Sequence, residues 1–155
     1  MGRGATARDR DRDRLRIHAT DQQRDVYRTC TQAADRVRAN AREMAQSAEG
    51  KTFNADETRR QRDQLRDQLR NMEQLHQRLM IGLNHEQRSA MQDRIRNMEQ
   101  VHERIRASLG KLDEHLAQAA PDGRRVAEEA RTVERAIKQW QERHREMGED
   151  LSLVR

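Results

Sequence analysis

Three features of this 155-residue chain predict an all-α fold. Apolar residues make up 33% and charged residues 38%, and Tyr27, Phe53 and Trp140 are the only aromatics. That is too little apolar mass for an ordinary α/β enzyme of this size. One proline and seven glycines cannot punctuate the many turns of a sandwich or barrel. Apolar residues also recur at helical spacing over roughly 125 residues, a period that a disordered chain has no reason to keep. The expected architecture is four long amphipathic helices, at about 20–49, 54–81, 84–119 and 123–151. They fold as antiparallel hairpins into a dimeric bundle or cradle.

Residues 1–16 read as a charged, low-complexity, disordered arm, and residues 17–155 as a single helical domain. The first helix carries the stripe Val26, Cys30, Ala33, Val37, Ala41, Met44 and Ala48, and the second Leu65, Leu69, Met72, His76 and Leu79. The third carries Met91, Ile95, Met98, His102, Ile105, Leu109, Leu112, Leu116 and Ala119. The fourth carries Val126, Ala130, Val133, Ile137, Trp140, His144, Met147 and Leu151. Apart from two successive steps of four at Ala33, Val37 and Ala41, steps of four and three alternate, as in a heptad seam.

Stops and starts agree with these stripes. Gly50, Gly82 and Ala120-Pro121-Asp122-Gly123 end the first three helices, and a bend is allowed at Gly110. Thr20 with Gln23, Asn54 with Glu57, and Asn84 with Gln87 have capping-box spacing, while Asp122 is the only cap for the fourth helix. Phe53 and Leu83 sit in the staple position before two of the caps. If the second and third helices form a hairpin about Gly82–Asn84, His76 faces Met91, Met72 faces Ile95 and Leu69 faces Met98. A hairpin about Pro121 puts Leu116 opposite Val126, Ile105 opposite Ile137, His102 opposite Trp140 and Met98 opposite His144.

The net charge is +5, carried by 29 arginines and the lysines Lys51, Lys111 and Lys138 against 27 acids. The charges are interleaved, which describes a solvated helix face with i,i+4 pairs. A nucleic-acid surface wants a block of one sign with aromatic stacking groups, so no nucleic acid is expected. Cys30 stands alone, excluding an intrachain disulfide. It is either a small buried apolar residue or half of an intermolecular bridge. No stretch is apolar and long enough to span a membrane, and Met1-Gly2-Arg3-Gly4 has no signal-peptide core.

No nucleophile elbow, phosphate-binding glycine loop or H-E-x-x-H occurs, and the carboxylates sit beside arginines, so no enzyme is expected. Two other chemistries remain. Met44, Met72, Met80 and Met91, with Arg78 beside them, suit an adaptable client-binding surface; the other reading makes the seam methionines core filler, leaving Met80, off the stripe, as the exposed one. Met98, His102, His144 and Met147 converge in the Pro121 hairpin as a soft N/S cluster for a transition metal such as Cu, Zn or Ni. The other reading satisfies the seam histidines His76, His102 and His144 by water or neighbouring acids, with no cofactor. His18, His85 and His115 lie off the seams and read as exposed.

Asn71-Met72-Glu73-Gln74-Leu75-His76-Gln77-Arg78-Leu79 recurs 26 residues later as Asn97-Met98-Glu99-Gln100-Val101-His102-Glu103-Arg104-Ile105. Either an old duplication or a shared helical grammar produces it. Leu83-Asn84-His85-Glu86-Gln87 resembles the Leu-Thr-x-x-Gln motif of the Spy/CpxP family of periplasmic stress proteins, and Ala19-Thr20-Asp21-Gln22-Gln23 resembles a second copy. The resemblance covers about residues 17–100. Ala19 replaces the motif leucine and Asn84 the threonine; asparagine caps equally well. The resemblance implies a periplasmic, ATP-independent chaperone that holds unfolding clients on a basic, apolar concave face of a homodimer. It also implies two alternatives, restraint of a sensor kinase and metal binding or sensing. A structural coiled-coil adaptor is a further reading.

Overall fold

The computed structural model describes residues 19–154. Among them are five helices and no strand: α1 Asp21–Glu49, α2 Ala55–Gly82, α3 His85–Ala90, α4 Gln92–Leu116 and α5 Gly123–Asp150. The arm assigned to residues 1–16, with Ile17 and His18, lies outside the described residues. Two capping boxes close fully. Thr20 N–H donates to Gln23 Oε1 at 2.9 Å and Gln23 N–H to Thr20 Oγ1 at 3.0 Å. Asn84 N–H donates to Gln87 Oε1 at 2.9 Å and Gln87 N–H to Asn84 Oδ1 at 2.8 Å. Asn54 forms half of its box, accepting from Glu57 N–H at 3.0 Å. Asp122 accepts from Arg124 N–H.

The third expected helix differs from its sequence reading at both ends. It breaks at Met91, whose φ of −104° and ψ of 9° separate α3 from α4, and it runs unbroken through Gly110. The physical reason lies in what each piece is tied to. Gln87 fastens α3 to α1, α4 packs along α5, and Met91 joins them from a buried position. At the other end α4 stops at Leu116 because Arg59 of α2 reaches over and donates Nε–H to the Leu116 carbonyl at 3.0 Å. That bond satisfies a terminal carbonyl that further helix would have used, and Ala119 is exposed rather than seamed.

The expected stripes form the core. Apart from half-buried Val26 and Ile95 and exposed Ala119, every stripe residue is buried. Along α1 the partners beyond run backwards: Arg24 meets the Ser152 carbonyl, Thr31 meets His144, Arg38 meets Gln141 and Glu49 meets Arg131. Along α2 they run backwards against α1 as well, Gln23 with Gly82, Cys30 with Met72 and Asn40 with Gln68. Arg94 pairs with Glu146 and Asp150, and Arg143 donates to Asn97. The order of neighbours is therefore α2–α1–α5–α4.

α2 and α4 approach at only a few points. The register that set His76 opposite Met91 is replaced by one in which Glu73 meets His102 at 2.7 Å, about two helical turns away. The six-residue α3 acts as a spacer, so these two long helices are not a tight hairpin. The Pro121 register fits better, since His102 does lie edge-on to Trp140, their ring centroids 6.5 Å apart.

One end of the bundle is locked by its two capping glutamines. Gln23 Nε2 donates to Gln87 Oε1 at 3.0 Å and to the Gly82 carbonyl at 2.8 Å, and Gln87 is fully buried. Each glutamine thus serves its own cap and the other's. A buried amide that loses such a partner costs about 1–3 kcal/mol. The interleaved charges behave as a solvated face, though their within-helix pairs are i,i+3 rather than the expected i,i+4, as in Asp21–Arg24, Asp25–Arg28 and Asp56–Arg59. Such exposed pairs contribute about 0–1 kcal/mol each.

Two helical glycines predict opposite outcomes. A Cβ on Gly148 would stand 2.2 Å from Tyr27 Cζ, whereas a Cβ on Gly110 meets nothing within 4 Å. Gly148→Ala should lower stability by about 1–3 kcal/mol through overpacking. Gly110→Ala should raise it by about 0.5–1 kcal/mol by removing backbone freedom from the unfolded chain. Urea unfolding of both variants checks the pair of signs.

Candidate functional site

Where α2 and α4 draw apart, two different fillings occur along their length. Toward the Pro121 end, arginines bridge the gap: Arg62 Nη1 lies 3.2 Å and Arg66 Nη2 2.6 Å from the two oxygens of Asp113. Farther along, Glu73 meets His102 and, at 3.3 Å, Arg106. Beyond that bridge the space opens as a groove of about 770 Å³ toward the Gly82 end, with Met80, Ile81 and Ile95 among its apolar lining and Arg88 and Arg96 on its walls. Ile81 is 76% exposed, and among the described residues only Val154 is another exposed large apolar side chain.

Behind the groove lies a layer of rings centred on Trp140, which is fully buried. His76 of α2 meets it edge-on at 5.3 Å and His102 of α4 at 6.5 Å, while His144 of its own helix stacks on it at 4.8 Å. Tyr27 of α1 stacks on the other face of His144 at 4.2 Å. Four helices thus contribute to one layer. Each aromatic contact adds about 0.5–1.5 kcal/mol beyond area burial.

The hydrogen bonds assign the His144 tautomer. Thr31 Oγ1 donates its proton to the Tyr27 carbonyl at 3.0 Å, so it accepts from His144 Nε2–H, also at 3.0 Å. Nδ1 is left with a bare lone pair, and it, His76 Nδ1 and Trp140 Nε1 are buried without a hydrogen-bond partner among the described residues. His102 Nε2 is close to Glu73 but poorly aligned with it. Burial, reinforced by the other histidines, pushes His76 down to about 4 and His144 down to about 3. His102 is also lowered, burial outweighing the opposing pull of Glu73. Burial raises the Tyr27 phenol and the Cys30 thiol each to about 12. Cys30 is fully buried, so it is an apolar packing residue and not a surface thiol poised for a bridge between chains.

The residues expected to bind clients separate into two groups. Met44 and Met72 are fully buried and Met91 is 8% exposed. Their stripes turn them into the core, so they fill the bundle and do not form an outer surface. Met80 is half-buried and lines the groove, whereas Arg78 is exposed and lies outside it, beside Gln23 and Val26 of α1. Of the expected metal set, Met98, His102, His144 and Met147 are all buried, with the Trp140 ring stacked on His144 and edge-on to His102. Among the described residues no three His, Cys, Asp or Glu side chains gather as ligands. His85 is exposed as expected, and His115 is half-buried.

Sequence reasoning missed Ile81, Arg96, Glu73 and the central place of Trp140. The apolar pair Met80-Ile81, off the seam at the end of a helix, was the available signal for the groove. No family model, curated protein or solved structure matches the chain.

The ring layer predicts acid sensitivity with a definite sign. Unfolded histidines take up protons near 6.5, whereas the folded chain excludes them until about 4 at His76 and about 3 at His144. The unfolded state therefore holds more protons between these limits. The stabilisation is complete above about pH 6.5 and is lost as pH falls toward 3–4, at about 1.4 kcal/mol per pH unit for each histidine. Urea midpoints should fall from pH 7 to pH 4.5, and His144→Phe, which keeps the stack but cannot titrate, should flatten that dependence. An unchanged slope in the variant would remove His144 from the account.

Proposed function

We propose that the protein is a non-enzymatic, ATP-independent holding chaperone, and that the α2–α4 groove is its client surface. One observation carries this reading. Ile81 stands 76% exposed beside Met80 and Ile95 in an arginine-walled groove on an otherwise well-packed bundle. Apolar side chains gathered in a groove and rimmed by charged ones are the kind of surface that receives a partner, and a pliable methionine beside arginine suits partners of varied shape. The likeness of the two capping motifs to Leu-Thr-x-x-Gln supports the same reading. It adds a periplasmic setting, a homodimer and a sensor kinase as a further partner. Light scattering from a heat-unfolding client enzyme, without ATP, tests it. Near-stoichiometric protein should suppress scattering, and no suppression at several-fold excess would end the proposal.

The second reading is a metal-binding or metal-sensing relative. The bare lone pair on buried His144 Nδ1 favours it, and Met98 and Met147 would supply the soft thioether donors that Cu(I) accepts. Calorimetry with Cu(I), Zn(II) and Ni(II) separates the readings. A Kd tighter than about micromolar that is lost in His144→Phe supports the metal, and its absence leaves the holding role or a structural adaptor.

A further inference from the structure

We propose that the α2–α4 groove receives a client as an amphipathic helix with acidic residues on its flank, rather than as an extended chain; this deepens, and rests on, the holding role assigned to the groove. The groove is walled by α2 from Glu73 to Ile81 and by α4 from Gln92 to Arg106; the Glu73–His102–Arg106 bridge crosses one end of it, and the stretch that both helices wall is about 12 Å at 1.5 Å per residue. The other three helix contacts of the bundle are closed, α1 with α2, α1 with α5 and α4 with α5. The fourth side opens beyond the Glu73–His102–Arg106 bridge between α2 and α4, and a helix laid along these two presents residues at i, i+3, i+4 and i+7 to an apolar floor.

The floor and walls specify that helix. Met80 and Ile95 are half-buried and Ile81 rises beside them, so the occupant needs a short stripe of large apolar side chains. The wall charges are unevenly used. Glu73 is held by His102 and Arg106, and Glu103 by Arg106. Arg88 donates both Nε–H and Nη2–H to the Met80 carbonyl, at 3.2 and 2.7 Å, which leaves its charge without a carboxylate there. Arg96 adds a second cation, on the α4 wall, with Glu99 as the one lining acid outside the cluster of Glu73, His102, Glu103 and Arg106. The open half of the groove is therefore positive, and an occupant with carboxylates beside its apolar stripe complements it.

Fluorescence anisotropy with the full chain tests this directly. The probe is a labelled helical peptide of about 14 residues, long enough to cover the groove with about one turn beyond each end, with leucines on one face and glutamates flanking them. The control has the same composition interrupted by proline. The helical probe should bind at least about tenfold tighter than the control. Ile81→Asp should weaken binding about tenfold while circular dichroism stays unchanged, because Ile81 is exposed. Arg96→Glu should weaken the glutamate probe and improve a lysine-flanked one. Equal binding of the helical and proline-interrupted probes, or full binding by Ile81→Asp, overturns the helix-in-groove proposal even when scattering is still suppressed. Tight, Ile81-dependent probe binding without any suppression of scattering upholds the groove and overturns the holding role alone.

Discussion

A single buried indole makes this bundle possible. α2 and α4 hardly touch, and bundles of narrow, alanine-rich seams have little bulk with which to span such a gap. Trp140 fills it from α5, meeting His76 on one side and His102 on the other while stacking on His144. Truncating a buried tryptophan costs about 3–5 kcal/mol in ordinary cores. Here it would also leave the imidazoles of three helices facing a void. The indole is the support that holds α2 and α4 apart and fixes how far apart they stand.

The groove follows from that spacing. Over half the length, arginines long enough to reach Asp113 close the gap with charge. Toward the Gly82 end no such bridge forms among the described residues, and Met80, Ile81 and Ile95 line an open seam. The glutamine lock sits at this same end. By joining the starts of α1 and α3 through Gln23 and Gln87, it holds the chain that leaves α2 and directs Met91 inward. Local caps are thereby coupled to the long-range arrangement that leaves the seam open.

Much of this was legible in the sequence because it is written in local spacing. The heptad steps located the buried faces from Cys30 to Leu151, and the spacing of Thr20 with Gln23 and Asn84 with Gln87 located two helix starts. The unreadable parts are all non-local. Nothing within the chain near Gln23 says that its amide will meet Gln87. Met91 carries neither glycine nor proline, so its break is set by what α3 and α4 pack against. The Gly82–Asn84 register failed because it assumed that α2 packs on the helix that follows it, whereas α2 packs on α1. Gly148, inside a strongly periodic helix, did carry a signal of close approach; the structure explains it as the seat of the Tyr27 ring. For the site, seam methionines were over-read as surface, and the off-seam pair Met80-Ile81 was the better guide.

Site-specific photo-crosslinking during thermal unfolding of a client locates the surface that holds it. Cys30 is buried, so single cysteines introduced at exposed Ile81, Arg96 and Arg135 can carry the crosslinker selectively. A client held in the α2–α4 groove should give strong adducts from positions 81 and 96 at the open seam and few from 135 on the outer face of α5. Equal adducts from all three positions, or a preference for 135, would contradict it.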